Sequence, residues 1–197
     1  MKLIRKGFDG LDIAFPLMLN DDVTAKLLEA QDQSKLAHQD VGIFRHNGLR
    51  MLVSQTGAQG GYTYRCSTEP GTPLGEVWFF KHPRDNCDVW GVRVSCGALP
   101  LALNGLSQVR AGIEDKLQAL ELDYKPGSES IGRVDVAFDF LEPGLLPQRD
   151  HFVTHSRTKV REHADLTVAV DGKSGRVETI TVGKNPGRQV TLYDKRA

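Results

Sequence analysis

Leu11, Ile13 and Phe15 alternate with Asp12 and Ala14, the period of two that marks a strand with one buried face. Pro16 ends that run, and Asn20 to Asp22 offer helix-capping side chains. Val23, Leu27 and Ala30 then recur at helical spacing, which predicts a helix over residues 21–37. Leu49, Met51 and Val53 alternate again. Further short strands are predicted at 62–66, 76–80 and 89–94, separated by Gly/Pro-rich turns. Such short links suit an antiparallel meander. Val109, Ile113, Leu117 and Leu120 form one stripe behind Ser107, a capping residue, and predict a second helix that Pro126 and Gly127 close. The strand IGRVDVAFDF follows at 131–140, then a loop with Pro143, Gly144 and Pro147. Residues 151–166 are polar and basic without a clear period. The chain finishes in a predicted hairpin, RVETITVG and RQVTLYDK, around Asn185-Pro186-Gly187. Strands and helices mix without βαβ alternation, so the expected class is α+β with a mostly antiparallel central sheet flanked by helices.

Alternation also sorts side chains by face. In 133–140, Val134, Val136, Phe138 and Phe140 share one face, expected to be the core face. Arg133, Asp135, Ala137 and Asp139 share the other. In the last strand Val190 and Leu192 are expected on the core side, with Gln189, Thr191, Tyr193 and Lys195 opposite. Matching Ile180 and Val182 to Leu192 and Val190 pairs Ile180 with Leu192 and Thr179 with Tyr193, across a three- or five-residue loop. Gly187 can supply the left-handed position such loops use. A two-residue loop would set the faces against each other. Asp135 and Asp139 are separated by roughly 13 Å along an extended strand, too far for both to bind one ion directly.

Composition narrows the class. The chain has 197 residues, 40% of them apolar, which suits one domain (1–197), with sub-lobes at 1–126 and 127–197 as a subdivision. No apolar run approaches membrane-span length, and MKLIRKGFDG lacks the apolar core of a secretion signal, so a cytoplasmic location is expected. Three cysteines, Cys66, Cys87 and Cys96, without CxxC spacing read as reduced thiols. Net charge is zero, which argues against a general polyanion binder but leaves room for a local basic face. From Lys173 onward six cations meet only Glu178 and Asp194. His151, His155 and His163 lack a metal-protease spacing and read as loop histidines; Trp78 and Trp90 read as core aromatics.

GRVDVAFDF (132–140) and VGKNPGRQVTLYDKRA (182–197) resemble two motifs of the replication initiation factor family, the rolling-circle initiators of plasmids and filamentous phages and related relaxases of conjugative elements. The first is similar to that family's Arg-x-Asp-x-Ala-x-Asp strand and the second to its Tyr-Asp-Lys strand. GLDIAF (10–15) and WGVRVSCGALPLALNGL extend the resemblance over most of the chain, but only the two C-terminal motifs are specific. The resemblance implies a fold similar to the His-hydrophobic-His nickase (RRM-like) fold and a metal-dependent, site-specific DNA nickase. Tyr193 would be its nucleophile, Lys195 a nearby cation, and Asp135 or Asp139 the ligand of Mg²⁺ or Mn²⁺. The family's glutamate after Tyr-Asp-Lys would come next after Ala197, so the sequence resembles a C-terminally truncated member.

The chemistry suits those residue types. A phenol with a pKa near 10 needs a cation to favour phenolate, and a hard divalent ion prefers carboxylate oxygens. Attack on a phosphodiester would leave a 5′-phosphotyrosyl link and a free 3′-OH, keeping the bond energy for rejoining. Lys184, Arg188, Arg196 and Arg133 are candidates to hold DNA phosphates, with Arg157, Lys159 and Arg161 as a second contact loop. The expected partners are single-stranded or extruded origin DNA, a host helicase and polymerase, and a second copy of the chain. A non-catalytic origin-binding module or regulator derived from such an initiator is the alternative, and an exposed strand face bearing Asp, Thr and Lys for structural reasons is the plain one.

Overall fold

In the computed structural model the description covers residues 1–68, 75–83, 89–141, 160–164, 177–183 and 189–193, and for residues 160–164, 177–179 and 193 the backbone alone. The chain divides into two compact units, Leu3–Phe140, and Leu141–Ala197 with Met1–Lys2.

The first unit is a seven-stranded antiparallel sheet with two helices. Its strands are β1 (Lys2–Phe15), β2 (Val41–His46), β3 (Leu49–Ser54), β4 (Tyr64–Ser67), β5 (Val77–Phe80), β6 (Val92–Cys96) and β7 (Ser130–Leu141), in the order β2-β3-β4-β5-β6-β1-β7. Strands β2 to β6 form the expected meander, and β1 and β7 close its far side. The predicted strand at 11–15 is the last third of a strand that begins at Lys2.

Helix α1 (Asp21–Leu36) starts as predicted. Asn20 is extended and its Oδ1 accepts a hydrogen bond from the Val23 amide at 2.8 Å, with Asp21 and Asp22 in the first turn. Helix α2 (Ala98–Ala119) starts nine residues before the predicted cap at Ser107. Gly105, at φ 74° and ψ 164°, breaks it into two segments, so the expected start lies near the beginning of the second segment. Only glycine adopts that conformation without strain.

One face of the sheet carries the core. The cross-strand row Ile13–Val94–Trp78–Cys66–Val53 runs over five strands, and Phe15–Val92–Phe80–Tyr64 runs beside it. Val23 and Leu27 of α1 and Val109, Ile113 and Leu117 of α2 fill in over these rows in one cluster. Trp78 is a core aromatic, as expected; Trp90 is half-buried and stands just before β6 rather than in a strand. Helix α1 lies so close to β2 that a Cβ at Gly42 would overlap the Ala30 carbonyl oxygen. The β2–β3 hairpin turns through Asn47 and Gly48, both at positive φ (45° and 79°), the geometry of a type I′ turn. Beside it His46 is buried between Lys26 (3.1 Å from Nδ1) and Asn47 (3.3 Å from Nε2), and Asn47 donates to Glu121 and to the Ala119 carbonyl. This cluster ties the hairpin to the ends of both helices.

The burial expected of β7 is reversed. Val134, Val136, Phe138 and Phe140 are 45–58% exposed, while Asp135, Ala137 and Asp139 are the less exposed set. β7 is an edge strand, and no residue of it joins the helix-covered core. Alternation grouped these side chains correctly, but the helices cover other strands.

The second unit holds a three-stranded antiparallel sheet of β8 (Val160–Ala164), β9 (Val177–Gly183) and β10 (Gln189–Tyr193), ordered β10-β9-β8. The hairpin register is the predicted one: Ile180 pairs with Leu192, Thr179 with Tyr193, and Gly183 with Gln189, which leaves the five-residue loop. Ile180 is buried, but Val190, expected in the core, is 67% exposed. β10 is an edge strand here, so one side of it has no neighbouring strand among the described residues.

Cys66 and Cys96 are free, as the spacing implied, and both are buried; Cys87 lies outside the described residues. Burial pushes both thiols up, and Cys96, with Glu76 also nearby, reaches about 12 from an ordinary 9.0. A thiol held protonated in the fold contributes stability below the unfolded pKa. That contribution falls as pH rises from about 9, where the unfolded thiol ionises, towards about 12. In a Cys87→Ser variant, neither remaining thiol should react rapidly with a disulfide reagent at pH 8 until denaturant is added. Rapid labelling of the native variant would contradict the burial. Gly42→Ala should lower unfolding stability by about 2–3 kcal/mol in denaturant titration, whereas Gly7→Ala, with open space around the new methyl, should not.

Candidate functional site

β7 and β1 bring the acidic residues together on the sheet face opposite the helices. Asp12 of β1 accepts a hydrogen bond from Ser95 Oγ on β6. A Cβ at Gly10 would lie 2.6 Å from Asp135 Oδ2, so the Asp135 carboxylate occupies the space this glycine leaves open. Gly10 and Asp12 therefore share a face with Asp135. Sequence reasoning passed over Asp12; its place between two apolar strand positions, next to Gly10, was the available signal.

Each expected metal ligand already has a cation. Arg133 Nε donates to Asp135 Oδ1 at 2.9 Å and its Nη2 donates to Asp135 Oδ2, a two-point pairing. These hydrogen bonds hold the Arg133 guanidinium above its usual pKa. Arg5 Nη1 lies 3.4 Å from both Asp139 Oδ2 and Asp9 Oδ1. Asp135 and Asp139 are 35% and 16% exposed at the side chain, so both remain reachable from solvent. Among the described residues no group of three or more His, Cys, Asp or Glu side chains is placed to share a metal ion. The described carboxylates could supply only part of a Mg²⁺ or Mn²⁺ ligand set, and Asp135 and Asp139 are each engaged with an arginine.

The other expected site residues fall elsewhere. Tyr193 ends β10, in register with Thr179, in the second unit's sheet, and only its backbone is described. Lys195, Lys184, Arg188, Arg196, Arg157 and Lys159 lie outside the described residues, as do His151 and His155. Arg161 and His163 lie in β8 with backbone alone described. Of the expected DNA-binding cations only Arg133 has a described side chain, and it faces Asp135.

The same open face carries a second group that sequence reasoning missed. Strands β2 to β6 contain four arginines, Arg45, Arg50, Arg65 and Arg93, and no aspartate or glutamate. Because the core takes the alternate positions, all four lie on the face away from the helices. The register places Arg65 and Arg93 on either side of Phe79, in a row Ser54–Arg65–Phe79–Arg93–Ala14. The Arg93 guanidinium carbon lies 4.2 Å from the Phe79 ring centre and 4.8 Å from that of Tyr62. Arg93 Nε is buried and makes no hydrogen bond. These arginines are distant in sequence, so only the strand order reveals them as a group.

Comparison of the chain with protein-family models, with curated proteins and with solved structures finds no match. Among the described residues no helix is long and apolar enough to cross a membrane.

The Arg133–Asp135 pair is partly solvent-exposed, and such pairs contribute about 1 kcal/mol or less. Asp135→Asn should therefore leave the denaturant midpoint nearly unchanged. A large loss would show that Asp135 is needed for the fold itself, not only for a site on its surface.

Proposed function

We propose that this chain is a DNA strand nicking and joining protein of a plasmid, phage or integrated element, which starts rolling-circle replication or transfer through a tyrosine-phosphate intermediate. The observation that supports this reading is the orientation of β7. The Arg-x-Asp-x-Ala-x-Asp strand turns both aspartates onto the sheet face that the helices leave open, and keeps them reachable. A strand whose aspartates served only as solvated decoration would be expected to hide its valines and phenylalanines instead; here the opposite holds.

In the proposed reaction the Tyr193 oxygen forms a bond to phosphorus and the bond from phosphorus to O3′ breaks. The phenolic proton passes, directly or through solvent, to the departing 3′ oxygen. Reversal by a 3′-OH rejoins the strand. Asp135 is the carboxylate that would contribute to holding Mg²⁺ or Mn²⁺, an ion whose chemistry would be to polarise the scissile phosphate. Arg133 neutralises Asp135 in the meantime. Lys195 would stabilise the phenolate. The fold similarity to His-hydrophobic-His nickases, the origin DNA partner, the host helicase and polymerase, and action as a dimer belong to the same proposal.

A binding module without cleavage is the second reading, favoured by the engagement of Asp135 with Arg133 and by the lack of a third described ligand. The two readings part in one assay. Single-stranded DNA from the gene's own locus is incubated with the chain, and with a version extended past Ala197, in Mg²⁺ or Mn²⁺. A denaturant-resistant protein–DNA adduct that disappears in Tyr193→Phe supports the nickase. An adduct that survives Tyr193→Phe removes Tyr193 as nucleophile. DNA binding with no adduct from either version leaves the binding module.

A further inference from the structure

We infer that the open face of the seven-stranded sheet, along the row Arg65–Phe79–Arg93, is a phosphate-binding track for single-stranded DNA; the inference rests on the DNA reading above and assigns it a surface. The assignment differs from the cations expected from the sequence, which lie on the C-terminal segments and in Arg133.

Charge carries the first part. The whole chain has 25 cations and 25 anions, yet the five strands β2 to β6 place four arginines and no carboxylate on one face. Ordinary solvated surfaces intersperse the two signs. Arg45 and Arg50 even stand directly opposite each other across β2 and β3, an arrangement of like charges that costs stability. A polyanion laid on the face removes that cost.

Geometry carries the second. Arg93 lies over two aromatic rings, so its guanidinium is fixed rather than free. None of the four arginines forms an ion pair with a described carboxylate, and Arg93 Nε has no hydrogen-bond partner. A cation that is immobilised, partly desolvated and without an anion among the described residues is prepared for one from outside. Arg65 stands two strands away, about 9.5 Å at the usual strand spacing, and is exposed. Guanidinium suits phosphate because its planar fork can donate two hydrogen bonds at once. A single strand fits better than a duplex: it can lie extended across the sheet face, and its bases can stack on guanidinium planes. The row also leads to the acidic end of the same face, since Ala14, next to Arg93, is two residues from Asp12.

The test is fluorescence anisotropy of a labelled mixed-sequence 20-nucleotide DNA strand with the full chain, across a salt series. Arg65→Gln and Arg93→Gln should each weaken binding roughly five-fold at low salt and reduce the slope of log affinity against log salt by about 0.7 per lost phosphate contact. Phe79→Leu should weaken binding with little change in that slope. Arg110→Gln, on α2, should change neither. Thermal melts check folding; if Arg93→Gln fails to fold, the exposed Arg65 carries the test. Wild-type binding that both arginine variants retain in full, with an unchanged slope, overturns the track and leaves the DNA reading standing. No binding by the wild-type chain at low salt overturns both. Tighter binding of an RNA strand of the same sequence overturns the DNA assignment of the face.

Discussion

Two helices packed on only one face of a seven-stranded sheet set the terms for the first unit. Trp78, Tyr64, Phe80 and Val94 meet Leu27, Ile113 and Leu117 in one apolar cluster, and burial of that size is the main favourable term in folding. Most alternate residues of β2 to β6, Phe44, Met51, Val53, Tyr64, Cys66, Trp78, Phe80, Val92, Val94 and Cys96, are committed to that cluster. What remains for the other face is whatever the sequence can place at the alternate positions, and no helix of the unit covers it. The open face is thus a by-product of the core, and its chemistry is free to serve a partner.

Position in the sheet then decides what each strand can offer. The central strands carry arginines on the open side because their other side is fully occupied. β7, at the edge, lies beyond the helices, so its Val134–Phe140 row stays uncovered while its aspartates lie against β1, beside Gly10. Gly10 matters for a simple reason: any side chain there would meet the Asp135 carboxylate. The pairing of Arg133 with Asp135 and of Arg5 with Asp139 follows from the same crowding, since carboxylates drawn partly out of water need a countercharge.

Much of the architecture was legible in the sequence. Alternation located β3, β7, β9 and β10, apolar matching gave the β9–β10 register, and Asn20 marked the start of α1. β2 was missed although Asn47-Gly48 is a strong hairpin signal, because Arg45 and His46 mask its alternation. The burial of the Val134–Phe140 row was misread for a different reason. Alternation tells which side chains travel together, not which set a distant helix will cover. The arginine row was illegible in principle: residues 65 and 93 become neighbours of Phe79 only through the strand order. Tyr193 and Asp135 were legible as single positions in two strand patterns; the structure places Asp135 in β7 of the seven-stranded sheet and Tyr193 in β10 of the three-stranded one.

The acidic and basic parts of the open face pose an electrostatic problem with one economical solution. Bare carboxylates at Asp12, Asp135 and Asp139 would repel a polyanion lying on the neighbouring arginines, and at separations within a Debye length salt would not remove the effect. The ion pairs at β7 answer this. With Arg133 on Asp135 and Arg5 on Asp139, the edge strand is close to neutral, so the arginine row is bordered by compensated carboxylates rather than bare ones. Arg133 is the more exposed partner, at 63% against 35%, so solvent reaches the guanidinium more freely than the carboxylate it pairs with.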